Sequence, residues 1–401
     1  MLLRFHFANF RSFQEEQEFS MVASSAKERS ESLIHSDGID EAVLPVSAVY
    51  GANASGKSNL FHAFRFMVDA VRYSHSRWEP DGGVPREPFA GASEETASSF
   101  LVDFVDRGVR YQYGFSVSSE IVLEEWLYAF PKGKRQAWFT RTTAKPMSFS
   151  EKMPGENRMI EGLTRPNSLF LSAAAQNNHS ALSAVYRWFS RSIDFVIDKR
   201  HVAEICAAPQ YRATIVRMLA LADLGIADLK VKEREPAESV LNNRSRIQLV
   251  HRIGEELRAF DEAQESEGTV AYLALLVPMI VAIETAGIVC IDELDASLHP
   301  LLAVELIRLF SEPASNPKGA QLIFNTHDTN LLSSGLLRRD QIWFAEKRPD
   351  GKSEIYPLSD FKPRKEENLE NGYLQGRYGA IPFLNPEQFL LISADAHEIA
   401  R

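Results

Sequence analysis

One octapeptide limits what this chain can fold into more than any other feature. Gly51-Ala-Asn-Ala-Ser-Gly56-Lys57-Ser58 satisfies the pattern G-x-x-x-x-G-K-[ST] at every fixed position. It follows an apolar stretch, Val43 to Tyr50, and leads into a run with helical periodicity, Ser58 to Tyr73. It therefore reads as a glycine-rich turn between a buried strand and a helix. The glycines let the backbone curl until consecutive N–H groups face a common point, and the helix N-terminus adds its positive end. A turn built this way holds phosphate oxygens. The expected contacts are Asn53, Ala54, Ser55, Gly56, Lys57, Ser58 and Asn59, with Lys57 bridging the β and γ phosphates of ATP and Ser58 offering its hydroxyl to Mg²⁺.

Two further strands of the same buried kind are legible. Ile288-Val-Cys-Ile ends in Asp292-Glu293, and Gln321-Leu-Ile-Phe runs into Asn325-Thr-His327-Asp328, with a helical stretch, Leu301 to Phe310, between them. Short unbroken apolar runs are what parallel strands covered on both faces require. The alternation predicts a βαβ unit whose strands end at one sheet edge, where ligands of such folds sit. At that edge Asp292 is expected to order the Mg²⁺ shell with Ser58, Glu293 to polarise the water that attacks the γ-phosphate, and His327 to reach that phosphate.

The remaining segments arrange themselves around this core. From Ser98 to Phe130, strand-like stretches separated by Asp-Arg-Gly and Ser-Ser-Glu turns predict an antiparallel sheet. Between Ala173 and Ile247 amphipathic helical patterns appear, ending in the charged run KVKEREPAES, which predicts a helical insertion. The expected organisation is an N-terminal lobe over residues 1–172, the helical insertion over 173–247, and a C-terminal lobe over 248–401. Ser74 to Thr96 reads as an exposed loop, Gln341 to Glu346 as one more strand, and YLQGRYGAIPF as a terminal turn in which Arg377 approaches the site or a partner.

Composition excludes several function classes. Cys206 and Cys290 are the only cysteines of 401 residues and stand in no metal-ligand spacing, so neither a disulfide framework nor a zinc site is implied and a reducing, cytoplasmic setting is expected. The opening MLLRFHFANFRSF carries Arg4 and Arg11 and lacks a signal peptide's apolar run. Val270 to Ile291 is the most apolar segment, but Pro278, Glu284 and Gly287 interrupt it, which favours a buried helix and strand over a membrane span. A net charge of -10 argues against a surface devoted wholly to nucleic acid. The tail after His327 has no paired D-x-D carboxylates after a strand, and Asn177-Asn178-His179 is too isolated for a nuclease centre.

The order of these motifs resembles the ABC-type ATPase heads of the SMC/RecF class, and most closely the AAA-type ATPases of bacterial phage-defence and abortive-infection systems. The resemblance is to an OLD-like head without a Toprim nuclease domain. It rests on FANFRSF, the phosphate loop, PNSLFLSAAAQNN, ESEGT, IVCIDELDASLHP, FNTHD, RRDQIWFAEK and YLQGRYGAIPFL. It implies an α/β fold: a P-loop NTPase of the ABC type, with a mixed sheet, an antiparallel β lobe and a helical insertion. It implies that Ser266 and Gly268, in Ser266-Glu267-Gly268-Thr269, bind the γ-phosphate of ATP held by a second subunit, hence a homodimer or higher homo-oligomer with shared sites. Ser266 equally suits an ordinary helix N-cap. Asn9 and Arg11 look like the family's nucleotide-contacting strand, and Ala296 to His299 like its loop across the dimer interface. Gln176 is a candidate for the Gln loop. The resemblance further implies a switch that senses infection, through a nucleic acid or a phage protein, and controls a separate effector such as a nuclease, with no membrane involved. A DNA-binding repair or recombination ATPase of the RecF/SMC type is the alternative.

Overall fold

A computed structural model of the protein describes residues 1–26, 28–196, 202–222, 225–232, 246–296, 298–364 and 366–382. The chain opens on β1 (Leu2–Ala8) and β2 (Gln17–Ser20), crosses to β3 (Val46–Tyr50) and enters α1 (Lys57–Arg77). A run of strands follows, β4 (Ser98–Asp106), β5 (Val109–Val117), β6 (Val122–Phe130), β7 (Gln136–Thr142) and β8 (Lys145–Phe149). Next come α2 (Asn157–Leu163), α3 (Phe170–Gln176), α4 (Leu182–Arg191), β9 (Ile193–Phe195), α5 (Val202–Ala207) and α6 (Pro209–Leu221). Three strands, β10 (Ile226–Lys232), β11 (Arg246–Ile253) and β12 (Glu256–Asp261), precede α7 (Glu267–Thr285), β13 (Ile288–Ile291), α8 (Pro300–Ser311) and β14 (Gln321–Asn325). The chain then passes through α9 (Asn330–Ser333), β15 (Ile342–Lys347), β16 (Ser353–Pro357) and α10 (Leu369–Leu374).

These strands form three sheets among the described residues. The central one has the order β16-β15-β3-β14-β13-β9 and is parallel except for the antiparallel edge strand β16. Side chains on its strands alternate between two cores, as the period of two demands. Val49, Ile288, Cys290, Ile323 and Trp343 face a core shared with α1 and the β lobe. Ala48, Val289, Ile291, Phe324 and Phe344 face one shared with α7 and α8. The β lobe is a seven-stranded antiparallel sheet, β2-β1-β4-β5-β6-β7-β8, as the turns between Ser98 and Phe130 predict. Gln321, fully buried, ties the lobe to the central sheet by bonding the N–H and the carbonyl of Leu2 at 2.6 and 3.0 Å.

The segment expected to be a helical insertion is not helix alone. The run SALSAVYRWFSRSIDFVI breaks after α4, and Ile193–Phe195 joins the central sheet as β9, parallel to β13. Strands β10, β11 and β12 form a separate antiparallel sheet, and β11 crosses the expected boundary at residue 247. In RIQLVHRI the alternation of Ile247 and Leu249, both buried, is a strand signal that the preceding helical patterns obscured. Residues 233–245, which carry most of the charged run, lie outside the described residues. The apolar stretch from Val270 divides into α7, packed on β13, α5 and α6, and the buried β13.

Candidate functional site

Register brings the site together. Ile291 stands beside Phe324, so the next position in that ladder sets Asp292 beside Asn325, and Asn325 stands in turn beside Val49, two residues before Gly51. Three strand ends therefore deliver the phosphate loop, Asp292-Glu293 and Asn325-Thr326-His327 to one edge. The turn after β3 needs its glycines. Gly51 has φ 155° and a Cβ there would lie 2.3 Å from the Ala345 carbonyl oxygen. Gly56 has φ 114° and a Cβ there would meet Ser353 Oγ at 2.7 Å. Ala54 is also left-handed, at φ 60°.

Lys57 is the first residue of α1 and is buried. Its ammonium donates to the carbonyl oxygens of Gly51 at 2.8 Å and Ala52 at 3.0 Å, and so lies along the loop. Burial lowers its pKa, and the opposing fields of Glu293, Asp292 and Asp295, in that order, work to raise it. Ser58 donates its hydroxyl to Asp292 Oδ1 at 3.0 Å. Asn59 donates to Ser12 Oγ at 2.8 Å, and Asn53 and Ala54 are exposed at the loop tip, whereas Ser55 is buried.

On the acidic side, Asp292 and Glu293 are both exposed. Glu293 has φ 60°, a conformation L side chains rarely adopt. Its N–H donates to Asn325 Oδ1 at 2.8 Å, and Asn325 Nδ2 donates to Asp292 Oδ1. The carboxylate of Asp295 accepts the N–H of His327 at 3.3 Å from each oxygen, which leaves the His327 side chain exposed at the same edge. The bonded pair Ser58 Oγ and Asp292 Oδ1 is a hard-oxygen donor set. It fits Mg²⁺, which completes its shell with phosphate and water oxygens. Among the described residues no group of three or more His, Cys, Asp or Glu could hold a metal ion.

The softer sequence expectations fall in different places. Arg11, left-handed at φ 48°, reaches the first turn of α1, where it lies 3.4 Å from Asn59 Oδ1, but its guanidinium is held bidentately by Glu87 at 2.9 and 3.1 Å. Asn9 is buried and bonds the backbone of Phe89, Thr96 and Ala97, pinning the loop expected to be exposed. Ser266 caps α7, accepting the Thr269 N–H at 3.1 Å, and stands exposed, with Gly268 half-buried in the first turn. Its hydroxyl bonds the side chain and the N–H of Thr269. Of Ala296 to His299, Ser297 lies outside the described residues, and His299 caps α8.

Gln176 is not at the site. It bonds Tyr186, whose hydroxyl donates to the Arg72 carbonyl, and Arg72 lies fifteen residues along α1 from Lys57, about 22 Å at the α-helical rise. His179 lies in the loop between α3 and α4 and is buried there, bonded to Asn157 and to the N–H of Leu182. Arg377 pairs with Glu367. The residue that sequence reasoning missed is Asn325. Its signal was a polar side chain at the buried end of the otherwise apolar run QLIFN, a position that demands hydrogen-bond partners.

Residues 46–333 match the family model described as "AAA domain, putative AbiEii toxin, Type IV TA system". The match begins with β3 and ends in α9, and so spans the phosphate loop, the acidic strand end and the His327 loop. No curated protein matches the chain.

Proposed function

The chain belongs to this AAA-domain family of P-loop ATPases, and from that premise we propose that it is an ABC-type switch, two copies of which close on ATP and hydrolyse it. The observation that carries the reading is the meeting of Lys57, Ser58, Asp292 and Glu293 at one sheet edge. The loop N–H groups and Lys57 grip the β and γ phosphates. Ser58 and Asp292 hold Mg²⁺, which when bound neutralises charge on the phosphates. Glu293 orients the attacking water and takes its proton, and His327 contacts the γ-phosphate. The second half of the site comes from the partner copy, because the helix N-terminus at Ser266 and Gly268, where Ser266 is exposed, offers N–H groups to an anion.

The biological reading extends this. The family description names a toxin–antitoxin system, which agrees with a defence role. In it the nucleotide state of the dimer responds to infection and controls a separate effector, such as a nuclease.

A mixing experiment tests the shared site. Ser266→Arg and Lys57→Ala each abolish hydrolysis alone, yet their mixture recovers about a quarter of the wild-type rate, because half of random two-fold dimers are mixed and each mixed dimer has one complete site. No recovery on mixing, or full activity of Ser266→Arg alone, contradicts the shared site. In cells, either variant alone is expected to remove protection against phage, and undiminished protection would refute the defence role.

A further inference from the structure

Asn325 is fully buried at the end of β14, and its one carboxamide bonds both the Asp292 carboxylate and the Glu293 backbone. Nδ2 donates to Asp292 Oδ1, and Oδ1 accepts the N–H of Glu293 at 2.8 Å. Its backbone carbonyl accepts the N–H of Leu294 at 3.0 Å. The orientation of the amide follows from its partners, since the reverse would set carbonyl against carboxylate and NH₂ against N–H. Glu293 has the left-handed backbone that such a clamp must hold, with φ at 60°. Asp292 Oδ1 is also the atom that accepts from Ser58.

We propose that Asn325 is a positioning residue that aims Asp292 at the cation beside Ser58 and fixes the backbone from which Glu293 reaches the attacking water. The proposal rests on the ATPase reading and assigns a role to a residue outside the phosphate loop and the acidic pair. An amide is needed because a donor and an acceptor are required at once in a fixed geometry. Aspartate would keep the acceptor for Glu293 but set a second carboxylate against Asp292. Serine is too short to reach both partners.

The test uses the full chain with Asn325→Asp and Asn325→Ser. Melting temperature, binding of a fluorescent ATP analogue with and without Mg²⁺, and steady-state hydrolysis are read together. Loss of a residue that orients metal ligands is expected to raise the half-saturating Mg²⁺ concentration for analogue binding, and to lower kcat, by about 10- to 100-fold. Affinity for the analogue without Mg²⁺, and KM for ATP at saturating Mg²⁺, are expected to stay at wild-type values. A purely structural role would lower the melting temperature and leave the Mg²⁺ midpoint of the folded fraction unmoved. A folded variant with the wild-type midpoint and kcat overturns the proposal. Should Asn325→Asp not fold, Asn325→Ser, which adds no charge, is scored by the same midpoints. If the wild-type protein binds Mg²⁺ and the analogue without hydrolysing ATP, the ATPase reading fails, while the Mg²⁺ midpoints still decide the role of Asn325.

Discussion

Lys57 is buried beside three carboxylates, and its ammonium is held by two loop carbonyls. Removing it leaves Glu293, Asp292 and Asp295 facing an incoming triphosphate without compensation. A hydrogen bond to a charged group contributes about 1.5–3 kcal/mol, so Lys57→Ala is expected to weaken ATP binding by about 10- to 100-fold. Equilibrium titration with a fluorescent ATP analogue checks this, and an unchanged Kd would contradict it. The phosphate loop and the strand-end carboxylates are legible in sequence because each occupies a fixed offset from an apolar run. Asn325, the left-handed turn at Glu293 and the Glu87 clamp on Arg11 are not, because each depends on a partner between 32 and 76 positions away.

At the scale of elements, the N-terminal segment is locked to the central sheet by a buried ion pair. Arg338 is fully buried ahead of β15; it donates to both Asp340 oxygens at 2.8 and 2.7 Å and to the carbonyls of Ala26 and Glu28. Asp340 also accepts the N–H and hydroxyl of Ser24, each at 2.8 Å. Breaking one side of such a pair strands the other charge, so Arg338→Ala is expected to lose about 3–5 kcal/mol of unfolding free energy. Urea denaturation measures it, and a change below about 1 kcal/mol would show that Asp340 finds other compensation. The buried strands and α1 are legible because length and periodicity agree. The short β9 and the sheet β10-β11-β12 are not, because three residues carry no period and the alternation at Ile247 and Leu249 follows on helical patterns that obscure it.

For the whole molecule, the central sheet is a partition between two cores, with α1 and the β lobe on one side and α7 and α8 on the other. The candidate site stands where β3, β13 and β14 emerge from that partition. Residues from opposite ends of the sequence thus meet there without either core having to open. α7 runs back from β13 along the sheet and presents Ser266 to solvent, which suits a surface completed by a second copy. The central claim is that Lys57 and Glu293 act on one nucleotide. The most direct measurement is ATP binding and phosphate release by Glu293→Gln beside the wild-type protein. The expected result is a wild-type Kd, phosphate release slowed by about 10²- to 10⁴-fold, and an ATP-bound dimer that accumulates on size-exclusion chromatography. Phosphate release at the wild-type rate would remove Glu293 from the chemistry and contradict the claim.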